Sequence, residues 1–265
     1  MSRARPATED HDLAWIERHL PDDGSVRLEN VTARYGVLTL AGPRSRELLQ
    51  ALTRFDCSRE AFPFFACREL EVGMAPVRAL RVSYVGELGY ELHHPLELQR
   101  HLYERLLEAG EPLELRDFGY RALESMRLEK AYRLFGADLS ADWTPLEAGL
   151  GRFVAFDKGE FVGREALLAQ REAGIRRSLA CLVVDALDAD AHGGEAVYAG
   201  GEAPVAYVAA GGYGHRVDAS IALAYLPVAL AAPGGMLEVE VLGERRPARV
   251  VDGCLYDPEN ERLRS

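Results

Sequence analysis

The sequence predicts an α+β protein that ends in a small antiparallel β-barrel. Apolar residues make up 48% of the 265 residues, which is enough to bury a sizeable core. Up to about residue 170, stretches with helical spacing of apolar residues alternate with short strand patterns. From Leu179 onwards, short alternating stretches are separated by pairs of glycines, a texture typical of small antiparallel barrels.

The first predicted elements are a short helix, two strands and a second helix. Apolar residues recur at helical spacing over residues 10–20, and Pro21 ends this pattern. Residues 26–31 and 35–40 then alternate like strands. Gly42-Pro43 follows the second strand and provides a cap and a first-turn proline for the next helix.

A hairpin is predicted in the middle of the chain. Residues 80–84 alternate between apolar and polar side chains, the sequence turns through glycines, and residues 90–93 return as a second strand. This arrangement presents Tyr84 and Glu91 close to the turn of the hairpin.

Two helices follow the hairpin, over residues 95–109 and 117–135. In the second of them, Arg121, Glu124 and Ser125 share the stripe that carries apolar residues further along the helix. A helix face that packs on a core should stay apolar, so this polar start indicates a lined cavity. The alternative is that the face leaves the core at this end, where its charged residues meet solvent or each other.

A domain boundary is expected near residues 166–178, where a helix-forming run ends at a glycine. The first domain would span residues 1–170. The second would span residues 176–265 and form the barrel from five short strands. These strands are predicted over residues 179–185, 205–209, 221–225, 236–242 and 248–251.

Charge and cysteine usage exclude several classes of protein. The formal net charge of −11 opposes a nucleic-acid backbone, so nucleic acid is not an expected partner. The four cysteines have neither a CxxC pair nor a histidine at metal-ligand spacing, which indicates reduced, mostly buried thiols and no metal site. No apolar stretch is long enough to cross a bilayer. A soluble, cytoplasmic protein without membrane contact is therefore expected.

Dinucleotide chemistry is not encoded in the pattern either. Gly149 and Gly151 imitate the first half of a dinucleotide fingerprint, but Val154 stands where the third glycine belongs and no strand-to-helix unit surrounds them. The sequence therefore predicts no flavin site in this chain.

Several motifs together resemble the folate-binding aminomethyltransferase family, which includes the glycine-cleavage T-protein. The resemblance covers nearly the whole chain and is nearest to the C-terminal domains of dimethylglycine and sarcosine dehydrogenases. The motifs are RVSYVGELGYEL at residues 81–92, ALESMRLEK at 122–130, TPLEAGL at 144–150, GGYGH at 211–215 and LYDP at 255–258.

The resemblance implies a tetrahydrofolate site and assigns three residues to it. Glu91 matches the family glutamate that holds the pterin, and a carboxylate can accept two parallel hydrogen bonds from a ring N–H and an exocyclic amine. Tyr84 matches a tyrosine that lines the pocket. Arg121 matches an arginine at the folate site, which would account for the polar start of its helix.

The catalytic acid of the family is not found. Its aspartate lies in a segment well upstream of the tyrosine matched by Tyr84, and none of the 83 residues before Tyr84 resembles that segment. The N-terminal part of the family is therefore expected to be missing. The acid would then come from another chain, and the truncation would leave an apolar seam for a homodimer or a partner.

Three functions are compatible with the sequence. The first is an aminomethyltransferase-like enzyme or subunit of one-carbon metabolism, associated with a flavoprotein that demethylates methylated glycines. The second is a noncatalytic folate-binding or assembly subunit. The third is an inactive remnant of a larger protein.

Overall fold

The computed structural model describes residues 8–186 and 188–265. Its N-terminal part contains a four-stranded antiparallel sheet of order β1-β4-β3-β2. The strands are β1 (Tyr35–Ala41), β2 (Cys67–Val72), β3 (Ala75–Leu80) and β4 (Gly89–Pro95). The helices of the whole chain are α1 (Glu9–Arg18), α2 (Ser45–Leu52), α3 (Gln99–Gly110), α4 (Tyr120–Glu129), α5 (Arg164–Ala173) and α6 (Glu261–Arg264).

One face of this sheet packs on α2 and α3 and forms the first hydrophobic core. Leu48 and Leu49 of α2 and Leu102 of α3 are buried there against alternate residues of the strands. Successive side chains of a strand point to opposite sides. The residues between the core positions therefore form a second face, which we define as the side of the sheet away from α2 and α3. Its members include Tyr35, Thr39, Glu69, Glu71, Arg78, Leu80, Glu91 and His93.

A closed six-stranded antiparallel barrel follows α5 and confirms the predicted α+β class with a C-terminal barrel. Its strands are β5 (Arg177–Val184), β6 (Ala196–Tyr198), β7 (Ala206–Gly214), β8 (Ala219–Pro227), β9 (Met236–Val241) and β10 (Glu244–Val251). The interior is filled by small and branched apolar residues such as Ala222, Ala224 and Val239. After β10 the chain leaves the barrel and ends in the short helix α6.

The barrel wall also packs outward on the N-terminal part. Leu128 and Ala131, at the end of α4, are buried against Ile221 and Leu223 of β8. Ser125 of α4 adds a hydrogen bond from its hydroxyl to the Tyr213 carbonyl oxygen of β7, at 2.6 Å. The end of α4 is therefore fixed between the two cores.

Some predicted elements differ from the structure. Residues 26–31 form no strand. As a result, β1 pairs only with β4 and lies at the edge of the sheet. The helix predicted over residues 117–135 is shorter, because the chain turns at Ala131 with a φ of 50°. The glycines of residues 211–214 continue β7 instead of forming a turn.

The prediction of mostly buried thiols holds for only part of the set. All four cysteines are free; Cys57 and Cys181 are buried, whereas Cys67 is exposed at the start of the edge strand β2. Among the described residues, no helix has both the length and the apolar character needed to span a membrane.

Candidate functional site

Glu91 lies on β4, on the second face of the sheet. Its neighbours across the ladder are Thr39 of β1 and Leu80 of β3. Its side chain is 21% exposed, and its Oε2 atom accepts a hydrogen bond from Nε2 of the buried His93 at 3.3 Å. His93 follows two residues later on the same face, so the period of the strand places the imidazole beside the carboxylate. Glu91 is thus an oriented acceptor that stays partly exposed.

Tyr84 lies in the loop of residues 81–88, which connects β3 to β4. Its hydroxyl donates to the Arg133 carbonyl oxygen at 2.8 Å. Its ring stacks on that of Tyr132, with 5.8 Å between the centroids and 24° between the planes. Burial raises the pKa of Tyr132, so this ring is neutral at physiological pH. The pair provides a flat aromatic surface on the segment that leads into the strand of Glu91.

A buried ionic cluster shapes the turn that carries Tyr132. Arg127 is 1% exposed, and it donates from Nη2 to Glu124 at 2.8 Å and from Nη1 to the fully buried Asp138. Its Nη1 also donates to the Tyr132 carbonyl oxygen at 3.0 Å. Burial alone would lower the pKa of Arg127, but the two carboxylates outweigh burial and raise it. The cluster therefore fixes the backbone of the turn.

Arg121 is exposed on the first turn of α4. It lies about 12 Å along the helix axis from Glu129, because an α-helix rises 1.5 Å per residue. The polar start of the helix does not act as one lined cavity: Glu124 pairs with Arg127 and Ser125 with the barrel, while Arg121 meets solvent. The joint approach of Arg121, Tyr84 and Glu91 to one ligand stays a prediction.

Tyr132 and Lys130 also belong to this region, although the sequence motifs do not assign them to it. The sequence pattern places Tyr132 on a helical stripe with Leu128, whereas the left-handed residue Ala131 turns its ring towards Tyr84. Lys130 is buried, being 3% exposed, and binds the C-terminal segment. The sequence signal for this contact is a lysine directly after the apolar residues of a helix. If such a lysine is buried, its ammonium group must find acceptors.

The candidate residues are thus a carboxylate acceptor, a pair of stacked tyrosine rings and an exposed guanidinium. Such a set suits a flat heterocycle with adjacent N–H donors and an anionic extension.

Two family models match this chain. Residues 3–158 match the GCVT N-terminal domain, and residues 177–257 match the glycine cleavage T-protein C-terminal barrel domain. The chain is 41% identical over 256 residues to mitochondrial dimethylglycine dehydrogenase of Mus musculus, covering 96% of this chain and 29% of that protein. It is 36% identical to an aminomethyltransferase of Moorella thermoacetica, covering 93% of this chain and 66% of that protein.

A solved structure has the same fold. The aminomethyltransferase T of the glycine cleavage system from Bartonella henselae superimposes with a TM-score of 0.81 at 25% identity, covering 98% of this chain and 68% of that one. The chain therefore spans less than a third of the dehydrogenase and about two thirds of the aminomethyltransferases. The resemblance found in the sequence motifs is confirmed, and the chain belongs to the glycine cleavage T-protein family.

Proposed function

We propose that this chain binds tetrahydrofolate, with the pterin ring held by Glu91. The observation that carries the proposal is the Glu91 carboxylate itself, which lies on the second face, is oriented by His93 and stays partly exposed. A carboxylate in this setting accepts a ring N–H and an exocyclic amine in parallel, and charge-assisted bonds of this kind are about twice as strong as neutral ones.

The remaining contacts follow from the shape of the ligand. The stacked rings of Tyr84 and Tyr132 supply an apolar wall for a flat heterocycle. Arg121, which is exposed on the first turn of α4, suits the carboxylates of the glutamate tail. Its exposure also suits tails of different length, since an exposed guanidinium places no wall at the far end of the ligand.

We further propose a role in one-carbon transfer from methylated glycines. The support is the 41% sequence identity to dimethylglycine dehydrogenase, which extends over 96% of this chain, together with the match to aminomethyltransferases. When bound, tetrahydrofolate supplies the nitrogen nucleophile that takes up a one-carbon unit. This chain would orient the folate and exclude water, and a flavoprotein partner would oxidise the amine. The acid that manages proton transfer is not assigned to any residue of this chain.

The experiment compares Glu91→Ala with Glu97→Ala, a matched control at an exposed glutamate beyond the same strand. At a hundredfold excess over its dissociation constant, tetrahydrofolate should stabilise the unsubstituted chain by about 2.7 kcal/mol and raise its Tm by several degrees. The control should keep this shift. Glu91→Ala should lose most of it, because the pterin donors would lose their acceptor.

An unchanged shift in Glu91→Ala would remove Glu91 from the site. Isothermal titration of the same proteins separates this result from the absence of any folate binding. Binding without turnover of dimethylglycine or sarcosine, even with a flavoprotein oxidase added, would favour a noncatalytic folate-binding subunit.

A further inference from the structure

The C-terminal segment returns from the barrel to the site, and we call residues 254–265 the strap. It leaves the barrel after β10 and docks on the end of α4, where the backbone N–H groups of Leu255 and Tyr256 both donate to the Glu129 carbonyl oxygen, at 2.9 and 3.0 Å. Leu263 of α6 is 5% exposed. The strap is therefore docked on the protein at its start and at Leu263.

Lys130 is the central anchor of the strap. Its ammonium group donates to the carbonyl oxygens of Tyr256 at 3.0 Å and Asp257 at 2.6 Å, and to Oδ1 of Asn260 at 2.9 Å. An ammonium group has three protons, so all three are used on the strap. The cost of burying this charge is thus offset only while the strap is in place.

The stem of Lys130 also touches the loop of residues 81–88, which carries Tyr84. A Cβ atom at Gly86 would lie 2.6 Å from Cδ of Lys130, so the loop crosses the lysine at a distance that only glycine permits. Gly86 also has a φ of 78°, in the left-handed region that glycine favours. Lys130 is therefore clamped between the loop and the strap.

Both ends of the same loop are tied to the strap as well. At the far end, the Tyr256 hydroxyl donates to the carboxylate of Glu87. At the near end, Arg81 is 1% exposed and donates from Nη2 to the Arg264 carbonyl oxygen at 2.9 Å. Its Nη1 donates to the carbonyl oxygen of Phe62, a residue of the first hydrophobic core, at 2.7 Å, which anchors the guanidinium there. Tyr84 stands between these two ties.

We infer that the strap is a positioning element of the folate site, with Lys130 as the positioning residue through which it acts. It holds the loop against the turn after α4, so that the stack of Tyr84 on Tyr132 exists before ligand arrives. The inference rests on the proposed function for its ligand, tetrahydrofolate. Without the strap the loop samples other conformations, and the apparent Kd rises in inverse proportion to the competent fraction.

The primary test uses full-length chains that carry Lys130→Met or, as a matched control, Lys158→Met. Met keeps the apolar stem and removes the ammonium group, and Lys158 is exposed on the surface. Hydrogen exchange of the ligand-free proteins should be faster over residues 81–88 in Lys130→Met, and unchanged in strands β7 and β8. The Kd for tetrahydrofolate should rise about tenfold or more, corresponding to a competent fraction of a tenth or less. The control should change neither quantity.

A second arm supplies the strap in trans. A chain that ends at Gly253 should bind tetrahydrofolate weakly, and a synthetic peptide of residues 254–265 should restore its affinity; this recovery is not expected if the strap only contributes to global stability. Should the shortened chain fail to fold, the Lys130→Met arm decides alone. Unchanged exchange in the loop of Lys130→Met, or faster exchange spread equally over the barrel, would overturn the inference. No folate binding by the unsubstituted chain would reject the proposed function, while the exchange data would still judge the strap.

Discussion

Arg127 supports the site without belonging to it. Its guanidinium joins α4, through Glu124, to Asp138 and to the backbone of Tyr132. Asp138 in turn accepts the backbone N–H of Leu134 at 2.8 Å. Arg127 and Asp138 are buried, whereas Glu124 is partly exposed, and a buried charge that loses its partner is costly. The stacked tyrosine surface therefore depends on an ion pair that lies beneath it.

Arg127→Met should destabilise the chain by about 3–5 kcal/mol, because it leaves the carboxylate of Asp138 buried and unpaired. Urea unfolding followed by circular dichroism measures the loss. Arg54→Met is the control, since Arg54 is exposed and should change stability by no more than about 0.5 kcal/mol.

The double variant Arg127→Met/Asp138→Leu gives a stricter test of this cluster. Removing both charges should recover part of the loss, since the penalty arises from the isolated carboxylate rather than from the missing contact. Equal losses in the single and the double variant would show that the ion pair is not what Arg127 contributes.

At the scale of residues, the sequence named candidate site residues but not the residues that support them. Glu91 and Tyr84 could be named because they stand in a recognisable motif. The contact between Tyr84 and Tyr132 was hidden, since it needs a left-handed φ at an alanine, where no glycine signals the turn. The link from Lys130 to the strap was hidden as well, because it joins residues more than a hundred positions apart.

Two hairpins use the same tight turn at the scale of elements. Gly73 and Met74 connect β2 to β3 with φ values of 52° and 75°. Leu242 and Gly243 connect β9 to β10 with values of 52° and 81°. Two-residue turns with positive φ at both positions match the right-handed twist of the strands, but they favour Asn-Gly. Each turn therefore holds an exposed apolar residue in a strained backbone region.

Leu242→Asn should stabilise the barrel, since it creates Asn-Gly at a turn that already has this geometry. Leu242 is 83% exposed, so the loss of its side chain removes little buried surface. The expected gain is about 0.5–1 kcal/mol, or roughly 1–4 °C in Tm by calorimetry.

Met236, on the strand that leads into this turn, provides a control for the effect of asparagine. It is exposed too, but it lies on strand β9, so Met236→Asn should lower the Tm because asparagine is disfavoured in strands. If both variants shift the Tm in the same direction, turn geometry is not the cause.

The elements that the sequence missed are short or lack a local signal. β6 has only three residues, which is too few for alternation to be recognised. β2 and β3 carry charged residues at the second-face positions and follow a loop rich in phenylalanine, so their boundaries were not evident. The strands β5, β8 and β9 were predicted to within two residues at each end because their alternation is regular. The strands β7 and β10 are longer than predicted, and in β7 this is because the glycines of residues 211–214 continue the strand.

At the scale of the whole molecule, the second face of the sheet is a surface on which a partner could bind. It carries the exposed Tyr35 and Thr39 beside charged residues, next to the proposed pterin contact at Glu91. The apolar seam expected for a homodimer or a partner stays a prediction.

The junction between the two cores contains a buried tyrosine that should make stability depend on alkaline pH. Tyr225 of β8 is 3% exposed; its ring stacks on Trp143 at 3.8 Å, and its hydroxyl donates to the Asp138 carbonyl oxygen at 2.7 Å. Burial first, and the nearby Asp138 second, raise the pKa of Tyr225 to about 12 from an ordinary value of 10.0. In the unfolded chain the hydroxyl ionises near the ordinary value, whereas in the folded chain it stays neutral. Its contribution is therefore complete below pH 10 and is lost as the pH rises to about 12.

Because a tenfold change in proton affinity corresponds to about 1.4 kcal/mol, Tyr225 should account for roughly 3 kcal/mol of the stability lost across this window. Tyr225→Phe should be less stable at pH 8 by about 1–3 kcal/mol, since the Asp138 carbonyl oxygen loses its donor. Its free energy of unfolding should nevertheless fall less steeply between pH 10 and 12 than that of the unsubstituted chain. Urea titrations at intervals of half a pH unit measure both slopes, with Tyr35→Phe as an exposed control whose curve should stay parallel to the original. A parallel curve for Tyr225→Phe would mean that other groups cause the alkaline loss of stability.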